Sequence, residues 1–147
     1  MSRSLSETLE ALPAERSESL LPEIRLLLEK SGHTTVVLDD DPTGTQTVHD
    51  IPVLTEWSIE ALTREFERQQ PLFFILTNSR SLTPQAAEEL TREIARNLRQ
   101  VSEGFERPLT VISRSDSTLR GHYPTEVNAL AKELGQPDAV HIIMPFF

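Results

Sequence analysis

The sequence contains no cysteine, which excludes disulfide bonds, thiolate nucleophiles and cysteine-ligated zinc or iron–sulfur sites. It has no apolar run near the roughly 20 residues that a membrane-spanning helix needs. Its first ten residues also lack the apolar segment that is typical of a secretory signal. Basic residues are few: 14 Lys and Arg face 23 Asp and Glu, and the net charge of −9 argues against nucleic acid as a partner. We therefore expect a cytoplasmic domain that binds neither membrane nor nucleic acid.

The first 33 residues have a helical pattern of leucines. Leu5, Leu9 and Leu12 share one face of a first short helix, and a second apolar stripe begins at Leu20. We predict a leader of two short helices over residues 1–33 that packs on the main body. A detached helical arm is the alternative.

From residue 34 onward, short apolar runs alternate with amphipathic helical stretches. The runs are continuous rather than alternating in polarity, which predicts strands that are buried on both faces. A repeated strand–helix–strand order is typical of a parallel sheet with crossover helices. We therefore predict an α/β fold over residues 34–147, with an open, mostly parallel sheet and flanking helices in a Rossmann-like, three-layer arrangement. The runs are Thr35–Leu38, Leu72–Leu76, Leu109–Ile112 and Val140–Met144, with Val53–Thr55 as a candidate short strand.

Polar and charged residues follow three of these strands. Because the carboxyl ends of parallel strands meet at one edge of a sheet, residues 39–47, 77–81 and 113–122 are expected to converge there. Each segment alone is also typical of an ordinary turn or solvated loop, and their coincidence at one edge favours a ligand site. Arginines can bind a carboxylate or phosphate, and carboxylates can accept hydrogen bonds from hydroxyls, hold Mg²⁺ or act as a base. This mixture predicts a small anionic ligand such as a short sugar acid. The charged residues are Asp39, Asp40, Asp41, Arg80, Arg114, Asp116 and Arg120.

One enzymatic hypothesis comes from the residues that end the first strand. Asp39 to Thr43 fit the D-x-D-x-T pattern that is typical of haloacid-dehalogenase-type phosphatases. Asp39 would then be the nucleophile that forms an aspartyl phosphate, and Asp41 would be the acid/base. Against this hypothesis, the last predicted strand carries no acidic pair to hold Mg²⁺.

Three motifs together resemble those of the four-carbon acid sugar kinases. Residues 40–44 (D-D-P-T-G), 77–80 (T-N-S-R) and 114–121 (R-S-D-S-T-L-R-G) resemble, in order, that family's D-D-x-T-G, T-x-S-R and K-x-D-S-T-L-R-G signatures. The resemblance spans about residues 34–147 and covers the family's N-terminal, sugar-acid-binding domain. It implies ATP-dependent phosphorylation of a hydroxyl on a threonate-, erythronate- or 3-oxo-tetronate-like substrate, with Mg²⁺. Arg114 stands where the family commonly has lysine, so the charge is kept but the side chain differs.

The resemblance also implies which residues form the site. Arg80 and Arg120 are the expected clamps for the substrate carboxylate. Asp40, Asp41 and Asp116 are candidates for orienting the hydroxyl or taking its proton, with Asp41 and Asp116 expected to be catalytic. No metal-binding residue is expected in this set. The expected substrate-binding residues are Asp40, Thr43, Gly44, Ser79, Arg80, Arg114, Ser117, Arg120 and Gly121.

A nucleotide-binding motif is missing from the sequence. Neither G-x-x-x-x-G-K-[ST] nor G-x-G-x-x-G occurs, and the last residues form an apolar run. Members of the resembled family carry their nucleotide site in a C-terminal domain. We therefore expect the chain to be the substrate-binding part of a kinase and to be inactive alone. The complete enzyme is expected to bind ATP and Mg²⁺, and the C-terminal nucleotide-binding domain is the expected partner of this chain. A catalytically inert sugar-acid-binding fragment is the non-enzymatic alternative, and an exposed sheet edge is expected to promote self-association.

Overall fold

The computed structural model of the protein divides the chain into two compact units, residues 1–31 and residues 32–147. Among the described residues, no helix combines the length and hydropathy needed to cross a membrane. The residues that the structure describes are 4–13, 18–45, 48–115 and 120–144.

The first unit contains the two predicted helices, α1 (Leu5–Glu10) and α2 (Leu21–Ser31). A capping box begins α1, because the backbone N–H of Glu7 donates to Ser4 Oγ at 3.2 Å and the backbone N–H of Ser4 donates to Glu7 Oε2 at 2.8 Å. No residue of either helix is buried. The packing of this leader on the main body stays a prediction.

The strands of the second unit form one sheet in which each described pair of neighbours is parallel. In its register, Asp39 lies between Leu76 and Arg114 on the two adjacent strands. Three strands therefore end side by side, as the alternation of strands and helices predicts. The sheet order is β2-β3-β1-β4, with β1 at Thr34–Asp39, β2 at Val53–Leu54, β3 at Leu72–Leu76 and β4 at Leu109–Arg114.

Three helices flank this sheet. Ser58 and Thr83 begin the first two, because each hydroxyl accepts a backbone N–H three residues further along the chain. The described residues of this unit thus have the predicted α/β fold, with an open parallel sheet and flanking helices. The helices are α3 (Ile59–Glu67), α4 (Pro84–Gly104) and α5 (Thr125–Glu133).

The core cluster lies on one face of the sheet. Side chains alternate between the two faces of a strand, and Val36 and Leu38 of β1 belong to the cluster together with Phe73 and Ile75 of β3. The three helices cover these strand residues with buried apolar side chains of their own. The helix residues are Leu62 and Phe66 of α3, Ile94, Ala95, Leu98 and Val101 of α4, and Leu130 of α5.

Burial along β4 differs from the prediction that every strand is buried on both faces. Val111 packs against the core cluster, whereas the adjacent Ile112 points to the opposite face and is 47% exposed. The helices α3, α4 and α5 all contribute to the cluster on the Val111 face. An apolar run shows that side chains on both faces of a strand can be buried. It does not show which face the helices cover.

The predicted strand at Val140–Met144 is wrong for the described residues, because this segment has no regular secondary structure. Val140 is 88% exposed, and Ile142, Ile143 and Met144 are exposed as well. A strand forms only where its backbone groups pair with a neighbour, and β4 is the last strand of the described sheet. An apolar, strand-like composition is therefore not sufficient to predict a strand in this segment.

Candidate functional site

An ion pair with a buried carboxylate lies where β1 and β4 end. Asp39 is the last residue of β1 and is 0% exposed, and its two carboxylate oxygens accept hydrogen bonds from Arg114 Nη1 at 3.1 and 3.2 Å. The backbone N–H of Asp41 also donates to Asp39 Oδ1, at 3.3 Å. A Cβ atom at Gly44 would overlap both the Arg114 guanidinium and the Asp39 carboxylate. Glycine at this position therefore lets the loop after β1 close directly over the ion pair.

Arg80 connects the loop after β3 to the loop after β1. It lies in a 3-10 turn, Ser79–Ser81, and its Nη2 donates to Asp40 Oδ1 at 2.9 Å while its Nη1 donates to Asp41 Oδ2 at 2.5 Å. Asp40 is only 4% exposed. Charge-assisted hydrogen bonds are stronger than neutral ones, so this guanidinium holds two neighbouring carboxylates in fixed positions.

Thr43 binds the second carboxylate oxygen of Asp41. Its backbone N–H and its hydroxyl donate to Asp41 Oδ1 at 2.7 and 2.5 Å. These two hydrogen bonds are the main reason that the pKa of Asp41 lies below its ordinary value, and the nearby charges of Arg80 and Arg120 lower this pKa further. Burial instead raises the pKa of Asp39, because desolvation outweighs the opposing effect of its hydrogen bonds and of Arg114. Asp41 is therefore the more firmly ionised of the two.

We expect the carboxyl groups of Asp39 and Asp41 to titrate on opposite sides of the ordinary aspartate range. Ionised Asp41 contributes stability above the ordinary aspartate pKa, and this contribution is lost as the pH falls through its lowered pKa. Ionisation of Asp39 costs stability, and this cost grows as the pH rises from the ordinary value through the raised pKa. A ¹³C NMR titration of the aspartate carboxyls measures both midpoints. Equal midpoints, or midpoints in the reverse order, would contradict this geometry.

The loop after β4 reaches the same carboxylates. The Ser115 hydroxyl donates to Asp40 Oδ2 at 3.4 Å, and a Cβ atom at Gly121 would lie 3.2 Å from that same oxygen. Arg120 is exposed, and its charge acts on Asp41. His122 Nε2 lies 3.1 Å from the carbonyl oxygen of Ser79. Side chains or backbone from all three loops therefore meet around Asp40 and Asp41.

Most residues predicted for the site are brought together at this edge, although their substrate-binding and catalytic roles stay predictions. Ser79 is fully buried, and its hydroxyl lies 3.2 Å from Thr77 Oγ1. Asp116 and Ser117 lie outside the described residues. The residues that converge are Asp40, Asp41, Thr43, Gly44, Ser79, Arg80, Arg114, Arg120 and Gly121.

Two contacts at this edge lack a clear signal in the sequence. The hydroxyl of Thr77 donates to the backbone carbonyl of Asp39 at 3.0 Å, and His122 approaches the carbonyl of Ser79. Both contacts join loops that are far apart in the chain. The motif order places these residues near the site, but only the strand order shows which loops can touch.

Comparison with known families agrees with this geometry. A family model described as the sugar-binding N-terminal domain matches residues 35–147. The chain belongs to this family. The matched residues include every segment of the site, so the small molecule that this sugar-binding domain recognises is a sugar. Neither a curated protein nor a solved structure matches the chain significantly.

The geometry of this sugar-binding domain does not favour the phosphatase hypothesis. A nucleophilic Asp39 would have to reach a phosphorus atom, but its carboxylate is fully buried and is bound by Arg114. The sequence matches the D-x-D-x-T pattern, but Asp39 in the folded domain is not the accessible carboxylate that nucleophilic attack requires.

The described residues do not form a site for a resident Mg²⁺ ion. No group of three or more His, Asp and Glu side chains in the described ranges is placed to hold a metal ion. Asp40 and Asp41, the nearest adjacent carboxylates, are bound to Arg80.

Proposed function

We propose that this domain binds a four-carbon acid sugar of the threonate, erythronate or 3-oxo-tetronate type, as the substrate-binding part of an ATP-dependent kinase. The observation that carries the proposal is the convergence of Arg80 and Arg114 with Asp40 and Asp41 at the carboxyl edge of the sheet. Membership of a sugar-binding family supports the sugar. The arginines support its acid group, because guanidinium groups recognise carboxylates.

The arginines have different tasks in this proposal. Arg80 is bound to two carboxylates, so it holds Asp40 and Asp41 in place. Arg114 uses Nη1 for Asp39, and 44% of its side chain remains exposed. Arg120 is exposed as well. We assign Arg114 and Arg120 to the sugar carboxylate.

Asp41 and Thr43 are assigned to the sugar hydroxyls. The lowered pKa keeps Asp41 ionised, and an ionised carboxylate accepts hydrogen bonds from hydroxyl groups. In a kinase, ATP supplies the phosphoryl group. The contribution of these residues is to bind the sugar acid and to hold the acceptor hydroxyl in one orientation, which is a large part of phosphoryl-transfer catalysis.

We expect threonate and erythronate to bind this chain, and the matching neutral polyols threitol and erythritol to bind at least about 10-fold more weakly. The reason is that charge-assisted hydrogen bonds contribute roughly 1.5–3 kcal/mol, which corresponds to about 10- to 100-fold in affinity. Isothermal titration calorimetry of the four compounds measures the difference directly. Equal affinity of acids and polyols would contradict the assignment of the arginines, and no binding of any of the four would contradict the proposed substrate class.

Arg120→Ala is the variant that tests the carboxylate contact, because Arg120 is exposed and the Arg80–Asp40 and Arg114–Asp39 pairs do not include it. Its affinity for threonate or erythronate should fall toward that of the polyols. Arg99→Ala is the matched control, since Arg99 is an exposed arginine of α4 that pairs with Glu103. The control should bind the acids as the unmodified chain does.

A further inference from the structure

Gly121 and His122, after β4, lie close to residues that follow β1 and β3. In the sheet, β1 lies between β3 and β4, so the loops after β3 and β4 are not neighbours. His122 Nε2 nevertheless lies 3.1 Å from the carbonyl oxygen of Ser79, in the loop after β3. The His122 side chain therefore links the loop after β4 to the loop after β3, which is not adjacent to it in the sheet.

Gly121, the residue before His122, lies close to Asp40. A Cβ atom at Gly121 would overlap Ser115 Oγ and would lie 3.2 Å from Asp40 Oδ2. Asp40 is almost completely buried. The backbone at Gly121 thus helps to shield the carboxylate that binds Arg80, and the next residue, His122, fastens this segment on the far side.

The Ser79 carbonyl is a fixed point of the turn that carries Arg80. It accepts the backbone N–H of Leu82 at 2.9 Å, which closes the 3-10 turn. The backbone N–H of Ser79 donates to Thr77 Oγ1 at 3.3 Å, and the Thr77 hydroxyl donates to the Asp39 carbonyl at 3.0 Å. A hydrogen bond donated to the Ser79 carbonyl therefore helps to fix the turn that positions the Arg80 guanidinium.

We propose that His122 is a positioning residue for Arg80. A carbonyl oxygen only accepts hydrogen bonds, so the contact requires a hydrogen on His122 Nε2. This Nε2–H donates a hydrogen bond to the Ser79 carbonyl and so links the loop after β4 to the loop after β3. The link keeps Arg80 in place between Asp40 and Asp41. The further statement that this contact orders a sugar-acid site rests on the proposed function.

The positioning role is tested first without a ligand, by NMR of the ¹⁵N-labelled chain. His122→Phe keeps a ring but removes the donor, His122→Asn has an amide too short to reach Ser79, and His122→Gln places an amide N–H near the original Nε2. We expect the Arg80 Nε–H signal to be protected from exchange in the unmodified chain and in His122→Gln. In His122→Phe and His122→Asn, the Arg80 Nε–H signal should shift. Its hydrogen should exchange with solvent about 3- to 10-fold faster, which corresponds to the loss of one net hydrogen bond. If one of the two loss variants does not fold, the other still decides the outcome.

His49→Phe is the control, since His49 is an exposed histidine that pairs with Asp50 on the loop before β2. Its Arg80 signal should match that of the unmodified chain. An Arg80 signal unchanged in both loss variants would overturn the proposal, and so would an equal disturbance in His122→Gln.

A second measurement separates this proposal from the proposed function. Affinity for threonate or erythronate should fall by about 3- to 10-fold in His122→Phe and recover in His122→Gln. If the unmodified chain binds neither acid, the proposed function fails, while the Arg80 signal still decides the positioning role. Equal affinity of the unmodified chain and both loss variants would overturn the claim that His122 orders the sugar-acid site.

Discussion

Arg80→Ala is expected to destabilise the protein by about 3–5 kcal/mol, because it removes the Arg80 guanidinium from the buried carboxylate of Asp40. For a chain of this size, such a loss lowers the melting temperature by on the order of 10 °C. Urea unfolding followed by circular dichroism measures the free energy, and a thermal melt measures the temperature shift.

Two further variants distinguish this mechanism from a general loss of packing. Arg80→Ala combined with Asp40→Asn should recover part of the stability, because without the Arg80 guanidinium a neutral amide is less costly to bury than a carboxylate. Arg99→Ala removes an arginine from an exposed pair with Glu103, and its melting temperature should stay close to that of the unmodified chain. If Arg80→Ala were as mild as Arg99→Ala, the site would not contain a buried charge pair.

Gly44→Ala is expected to destabilise the protein by about 2–4 kcal/mol, because the added Cβ overpacks the loop and displaces Arg114 from Asp39. The Arg114 guanidinium can move, since its side chain is partly exposed, but the Asp39 carboxylate is enclosed. We therefore expect the loop after β1 to shift, and sugar-acid binding to weaken together with stability. Urea unfolding and calorimetry with threonate measure the two effects.

Gly104→Ala is the matched control for this substitution. Gly104 is the last residue of α4, and a Cβ there would meet nothing within 4 Å. Alanine at this helical position should be neutral or stabilising by up to about 1 kcal/mol, since it restricts the unfolded chain. Equal effects of the two glycine substitutions would contradict the close approach at Gly44.

The charges of this edge largely neutralise one another. Arg114 pairs with Asp39, and Arg80 pairs with Asp40 and Asp41. Such pairing holds the loops in one arrangement before a ligand arrives, which reduces the ordering cost of binding. It also means that a ligand carboxylate must compete with carboxylates of the protein for the arginines. The proposed assignment of Arg114 and Arg120 to the ligand carboxylate rests on the exposure of their side chains.

Much of the sheet could be predicted from the sequence because buried parallel strands have a strong local pattern. The apolar run at Leu72–Leu76 coincides with β3, and the runs for β1 and β4 differ from the strands by one or two residues at an end. The position of the polar segments after these strands then follows from the geometry of a parallel sheet. Both predictions need only information that lies within a few residues of each strand.

Partners across the site could not be predicted in the same way. The motifs name Arg114 as a substrate-binding residue, but its pairing with Asp39 depends on the adjacency of β1 and β4. Val140–Met144 has the composition of a strand but has no strand partner among the described residues. The exposure of Ile112 depends on which face of the sheet the helices cover. These features are set by tertiary packing, which a local pattern does not contain.

The most direct test of the account is a map of amide chemical-shift changes in the ¹⁵N-labelled chain as threonate or erythronate is added, with threitol and erythritol as neutral references. The account predicts acid-specific changes in all three loops together, around residues 40–44, 79–81 and 114–122. Changes confined to one loop, changes on another surface, or the same changes with the polyols would contradict a sugar-acid site at the carboxyl edge of the sheet.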